Sequence, residues 1–175
     1  MMIDVKKIIE QWDIRPMMKV ADFGCGKGEY SVEIAKKIGK EGVVYAFDIQ
    51  QPVLSALKSL TKINHLNNIE PCRADLESEK GTGLNDALVD FVIISNIFFQ
   101  AENKESLAKE AFRILKPNSK AALVEWDMTE IPMGPPKSIK LPKETVKQIF
   151  LKMNFVFEKE FNAGEFHYGM IFKKP

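Results

Sequence analysis

Cysteine and histidine are scarce in this chain, two of each among 175 residues. Cys25 and Cys72 cannot build a disulfide framework, so reduced thiols in a cytoplasmic setting are expected. With only His65 and His167 beside them, at these spacings, no metal cluster is expected. An excess of either charge is missing too: 25 basic residues face 24 acidic ones, a net +1. That balance supplies no general field for nucleic acid or an anionic membrane, although it leaves a local patch open. Long apolar runs are also absent. The longest, Phe91 to Phe99, is broken by Ser95 and Asn96 and falls far short of a bilayer span. The opening stretch, Met1 to Trp12, carries Asp4, Lys6, Lys7 and Glu10, and so lacks the apolar core of a signal peptide. There is no internal repeat and no low-complexity tract.

What is present is enough for a folded core: 45% of the residues are hydrophobic, and the length fits one domain, 1–175, with little room for a second. Its organising stretch is residues 18–29, Met-Lys-Val-Ala-Asp-Phe-Gly-Cys-Gly-Lys-Gly-Glu. Val20, Ala21 and Phe23 read as a short buried strand with Asp22 near its end. Gly24, Gly26 and Gly28 then alternate with Cys25 and Lys27, and from Gly28 the period turns helical through Tyr30, Ile34, Ala35 and Ile38. A strand, a glycine loop and a helix in that order make a ligand cradle. Glycine allows backbone angles that other residues resist, and it lets a ligand approach where a Cβ would stand. The helix N-terminus offers free N–H groups. A dinucleotide fingerprint, G-x-G-x-x-G, requires its third glycine at position 29, where this chain has Glu29. The pattern here is D-x-G-x-G-x-G, whose carboxylate suits a cationic ligand end better than a pyrophosphate.

On these residues the chain resembles the class I S-adenosylmethionine-dependent methyltransferases. The resemblance implies a Rossmann-like α/β fold: a seven-stranded, mostly parallel sheet with helices on both faces and a C-terminal antiparallel hairpin. It places the methionine part of S-adenosyl-L-methionine over Asp22, Gly24, Cys25 and Gly26, with Cys25 serving as a small residue rather than a reactive one. The second strand, Val43 to Phe47, ends at Asp48, twenty residues past Gly28. A carboxylate there can accept both ribose hydroxyls, with Ile49 beside it. The third strand, Ile69 to Ala74, ends at Asp75-Leu76; the resemblance gives Asp75 the adenine amino group and the Leu76 N–H a ring nitrogen. The competing reading of Asp75 is a helix-capping or loop aspartate.

Other elements follow from periodicity. An amphipathic helix is expected over 3–12, within an N-terminal segment 1–15 that either covers the cofactor mouth or packs on the sheet. Helices are expected over 28–38, from Pro52 to Ile63, over 104–115 with Asn103 as cap, and from Pro142 to Asn154. Residues 77–87 read as a polar surface loop or a poor helix. The β-branched run Val92 to Ile94 marks a strand covered on both faces. It ends in Asn96-Ile97-Phe98-Phe99, where amine-directed relatives carry [D/N]-P-P-[Y/F]; the missing prolines weaken the case for an exocyclic-amine acceptor. Ala121 to Trp126 is the fifth strand, and Phe155 to Phe161 with Phe166 to Phe172 form the hairpin. Between them lies a proline-rich loop, 127–140, read as a lid or a crossover linker. Its Pro-Met-Gly-Pro-Pro (132–136) and the later His-Tyr-Gly (167–169) resemble small members of the quinone C-methyltransferase branch, also described as type 11 methyltransferase-domain proteins.

Methyl transfer from a sulfonium needs proximity and orientation more than acid–base assistance. The expected reaction is transfer to a small, partly apolar acceptor, with Asn96 at the cofactor and Phe98, Phe99, Trp126 and Tyr168 as substrate contacts. If a base is used, the candidates are Glu125, Asp127 and His167. Rival readings are a non-catalytic cofactor-binding subunit, a methyltransferase acting on RNA or protein, and, disfavoured by Glu29, an NAD-dependent oxidoreductase. The acceptor and the oligomeric state are not legible.

Overall fold

The structure, a computed structural model, describes residues 4–132 and 134–175. Strands β1 (Lys19–Phe23), β2 (Val43–Asp48), β3 (Ile69–Arg73), β4 (Val89–Ser95) and β5 (Leu115–Trp126) pair in parallel. Two more, β6 (Val156–Asn162) and β7 (His167–Lys173), form an antiparallel hairpin whose second strand, β7, pairs with β5. The seven-stranded sheet runs β3-β2-β1-β4-β5-β7-β6. Strand order therefore reverses between β1 and β4, the place where open α/β sheets hold ligands beyond their carboxyl ends.

Helices cover both faces because the central strands are apolar on both. In β4, Phe91 and Ile93 point one way and Val92 and Ile94 the other, and all four are shielded from solvent. On the first face lie α1 (Val5–Ile9), α2 (Glu29–Ile38) and α3 (Gln51–Ile63), which bring Ile8, Ile34, Ile38, Leu54 and Leu57 onto Val20, Val44 and Ile93. The second face takes α4 (Lys104–Ile114) and α5 (Lys143–Lys152), whose Leu107, Ala111, Ile114, Val146 and Phe150 meet Phe23, Phe47, Val92 and Phe172. Each such buried large side chain contributes roughly 2–3 kcal/mol of transfer free energy.

The elements depart from expectation in three places. The first helix is one and a half turns, Val5–Ile9, not 3–12; residue 3 lies outside the described residues. Trp12 sits beyond it in a turn, yet is buried by a stack on Tyr30 at 5.6 Å, so its burial imitates helical spacing. β5 starts at Leu115, directly after α4, because Leu115 pairs with Val89 before the strand goes out of register and resumes at Lys120. Asn118, in the left-handed region at φ 65°, lies in that irregular stretch. Within 127–140 a short 3₁₀ turn forms at Lys137–Ile139; Met133, part of the proline-rich motif, lies outside the described residues. No helix among the described residues is long and apolar enough to cross a membrane.

Candidate functional site

The loop after β1 turns on three left-handed glycines, and they serve different ends. A Cβ on Gly24 (φ +70°) would fall 2.3 Å from Ile97 Cγ2, and one on Gly28 (φ +78°) 2.4 Å from Leu57 Cδ1. Those two glycines permit close packing of neighbouring elements. Gly26 (φ +48°) has its nearest obstacle 3.9 Å away, the Gly24 carbonyl oxygen. Its conformation demands glycine and the space beside it is open.

Two adjoining cavities share Gly24, Gly26, Ser95 and Asn96. The larger, about 420 Å³, is bounded by Asp48, Ile49, Asp75, Leu76, Ile97 and Gln100. The smaller, about 210 Å³, is bounded by Val5, Asp22, Cys25, Glu29 and Tyr30. Among the described residues, one buried polar atom at these cavities lacks any partner, Asn96 Oδ1, and a second, Tyr30 Oη, has only the neighbouring Ser95 side chain to turn to. Such orphans are rare unless a ligand or water completes them. A larger depression, about 990 Å³, lies between α1, α2 and the β6–β7 hairpin; none of the unpartnered buried atoms lines it.

In the smaller cavity Asp22 is buried and accepts the Ser31 hydroxyl at 2.6 Å. Burial pushes its carboxyl up to about 6, against the Ser31 hydrogen bond, and the nearby Asp48 adds to the rise. Burial likewise drives the Cys25 thiol far up, so it stays protonated and inert, as a space-filling residue would. Val5 borders this cavity while Ile8 and Ile9 enter the core, so α1 packs on the fold with one end at the cavity.

Around the larger cavity, Asp48 Oδ2 accepts the Gly26 N–H at 3.2 Å and Oδ1 the Gln50 N–H at 3.0 Å. Each carboxylate oxygen keeps a further lone pair for a hydroxyl donor. Asp75 is exposed, and both of its oxygens serve its own turn: Oδ1 takes the Glu77 N–H at 3.0 Å and Oδ2 the Ser78 hydroxyl at 2.7 Å. The Ser78 bond, first among these, holds its carboxyl below the ordinary value. Leu76 is buried against the cavity, and Ile49 projects from its lip, 56% exposed.

At the end of β4, Asn96 adopts φ 54° and its carbonyl accepts the Gln100 side chain at 2.9 Å. The two phenylalanines that follow part company. Phe98 has no exposure and packs on Phe150 at 5.5 Å, so it belongs to the core rather than to a substrate surface; Phe99 stays half-buried. Glu125 is fully buried and lines neither cavity. It accepts the N–H groups of Phe99 (3.1 Å) and Trp126 (2.8 Å).

Beside it, Trp126 and His167 face each other across β5 and β7, with ring centroids 4.1 Å apart. Burial lowers the His167 imidazole to about 4, and its Nε2 is buried without a partner. Asp127 caps its own turn through the Thr129 N–H at 2.8 Å, and Tyr168 donates to the Leu141 carbonyl at 2.9 Å. Neither Asp127, Trp126, His167 nor Tyr168 borders the two cavities. Sequence reasoning missed Tyr30 as a site residue, taking it for the apolar face of α2. The available signal was a hydroxyl at a position that phenylalanine would fill.

A family described as a methyltransferase domain matches residues 14–171 of the chain. Among curated relatives, a demethylmenaquinone methyltransferase of Lactococcus lactis is 25% identical over 119 residues, 66% of this chain and 45% of its own length. The ubiquinone/menaquinone biosynthesis C-methyltransferase UbiE of Hydrogenovibrio crunogenus is 28% identical over 126 residues, 71% and 48% respectively. The chain thus spans about half the length of the curated relatives it matches. A S-adenosylmethionine-dependent methyltransferase from Aquifex aeolicus has the same fold, with a TM-score of 0.89 at 23% identity over 98% of this chain and 89% of that one. So does the [4+2]-cyclase SpnF, at TM-score 0.82 and 12% identity over 98% and 79%, a reminder that this fold does not dictate one reaction.

Proposed function

The chain belongs to this methyltransferase-domain family, whose cofactor is S-adenosylmethionine, and from that premise we propose that it methylates a small, partly apolar acceptor at the two joined cavities. The observation that carries the proposal is the joined pair of cavities beyond the ends of β1 and β4, walled by the Asp22 and Asp48 carboxylates and open glycine backbone, with Asn96 Oδ1 buried and unpartnered beside them. This donor and acceptor set fits the cofactor. Asp48 would hold the ribose hydroxyls, Leu76 and Ile49 would flank the base, and Asp22, Gly24, Cys25 and Gly26 would line the amino-acid end. Asp75 would meet the adenine through whatever capacity its own turn leaves it. When bound, S-adenosylmethionine supplies a methyl group on a sulfonium, a good leaving group that needs no acid.

The chain's own residues orient and shield. Tyr30, stacked on Trp12, borders the smaller cavity, and Asn96 borders both. Ile49, Val53, Leu76 and Ile97 give the larger cavity an apolar wall. None of Glu125, Asp127 and His167 borders either of the two joined cavities, which favours an acceptor that needs no protein base. The relatives' names point to a quinone-like ring as one acceptor of this chemistry. Glu29, in the first turn of α2, would repel a pyrophosphate there, which counts against a nicotinamide dinucleotide. A cytoplasmic setting accords with two free thiols.

Calorimetric titration with S-adenosylhomocysteine tests the cofactor half. Binding to the wild type, weakened at least about tenfold in Asp48→Ala by loss of a charge-assisted contact, is expected; equal binding by the variant counts against the site. For the acceptor half, protein and labelled S-adenosylmethionine are incubated with lipid-soluble and aqueous extract fractions. Label in the lipid-soluble small molecules is expected. Label confined to RNA or protein would move the proposal to those acceptors, and no label in any fraction would favour a cofactor-binding subunit.

A further inference from the structure

Glu125 is a fully buried carboxylate on a strand otherwise filled at this point by Ala121, Ala122, Leu123 and Val124. Burying a carboxylate is costly unless its lone pairs are met, so an apolar residue would fill the position more cheaply. Its oxygens go to backbone: Oε2 takes the Phe99 N–H at 3.1 Å, Oε1 the Trp126 N–H at 2.8 Å, and the Phe98 N–H also faces it. Phe98 and Phe99 belong to the turn from Asn96 to Gln100. That turn carries Asn96, Ile97 and Gln100 onto the larger cavity and holds Asn96 left-handed with Oδ1 unpartnered.

We infer that Glu125 is a positioning residue: its carboxylate ties the backbone of the Asn96–Gln100 turn to β5, thereby aims Asn96 into the cavity, and loosens that tie when protonated. The inference rests on the reading of the cavity as the nucleoside site. Burial pushes the Glu125 carboxyl up to about 7, against the pull of its N–H donors, so the tie changes state near neutrality. From α4, Lys104 favours the ionised form; from β7, Tyr168 faces it as a neutral hydroxyl bound to the Leu141 carbonyl; the end of β4 and the turn after it contribute Ser95 and Asn96, which do not titrate. Asp22, at about 6, is a separate titration in the adjoining cavity.

The test is calorimetry of the full chain with S-adenosylhomocysteine from about pH 5.5 to about 8.5, wild type against Glu125→Gln, with NMR exchange of the Phe98 and Phe99 amides as a second readout. In the wild type, affinity is expected to rise about tenfold through pH 7, the worth of one hydrogen bond to a charged group. Glu125→Gln is expected to bind weakly at pH 8, to keep only the Asp22 transition near pH 6, and to exchange its Phe99 amide faster. A wild-type pH profile and undiminished Phe99 protection in the variant would overturn the inference. Should the variant not fold, the wild type decides: a Phe99 amide shift and an affinity that are both flat through pH 7 would overturn it. Absence of binding to the wild type at any pH would instead refute the reading of the cavity, while Phe99 exchange would still judge the tie.

Discussion

Single side chains in this protein are sorted by what their polar atoms can reach. Cys25 and Cys72 are both free, but burial drives the Cys25 thiol much further up than that of half-buried Cys72. Alkylation at about pH 8 is expected to modify Cys72 at least tenfold faster, as read by peptide mass spectrometry; equal rates would mean that the glycine loop opens freely. Phe98 and Phe99 make a second contrast. Phe98→Ala empties a site packed on Phe150 and is expected to cost about 3–5 kcal/mol in urea unfolding, with Phe99→Ala costing less than half as much. The strand-end acids Asp22 and Asp48 were legible in the sequence because their positions follow from strand length alone. The Tyr30 hydroxyl was not, since helical period reports which face is buried and not what lies at the end of the ring.

At the level of elements, the glycine loop divides its labour between packing and access. Gly28 lines neither cavity, yet its Cβ would strike Leu57 and its φ is left-handed. Gly28→Ala is expected to lower stability by about 2–3 kcal/mol while leaving S-adenosylhomocysteine affinity of the folded protein within about twofold. A large loss of affinity without a loss of stability would contradict that division. Existence and type of most elements could be read from apolar period, as in the both-faces run of β4. Ends were harder. The α4–β5 junction shifted because Leu115 pairs with Val89, a contact between residues far apart in the chain, and α1 was overextended because Trp12 is buried by a ring stack instead of by helical phase.

For the whole molecule, pH acts through groups whose ionisation folding disturbs. His167 is held near 4, below its ordinary 6.5, so the native state binds its proton less readily than the unfolded chain. That contribution to stability is full above about pH 6.5 and is lost as pH falls towards 4. Glu125 and Asp22 run the other way. Raised to about 7 and about 6, they favour the native state below their ordinary values near 4 and lose that contribution as pH rises through 6 and 7. His167→Phe is therefore expected to remove the imidazole's acid-side loss, so that its melting temperature gains on that of the wild type as pH falls from about 6.5 to 4. A difference between the two that stays constant in thermal melts over that range would show that His167 does not contribute.

From the sequence alone came the α/β class, the glycine cradle with its carboxylate, the acids at the ends of β1 and β2, and the antiparallel close, because each depends on residues adjacent in the chain or on a fixed period. Tertiary structure alone decided that β7 inserts between β5 and β6 and sets Tyr168 and His167 opposite Glu125 and Trp126. It alone turned Phe98 into the core, bound both Asp75 oxygens in a turn, and buried Glu125 against the backbone of the β4 turn. Those outcomes depend on which distant segments meet and how much water they exclude, and neither quantity is carried by local pattern.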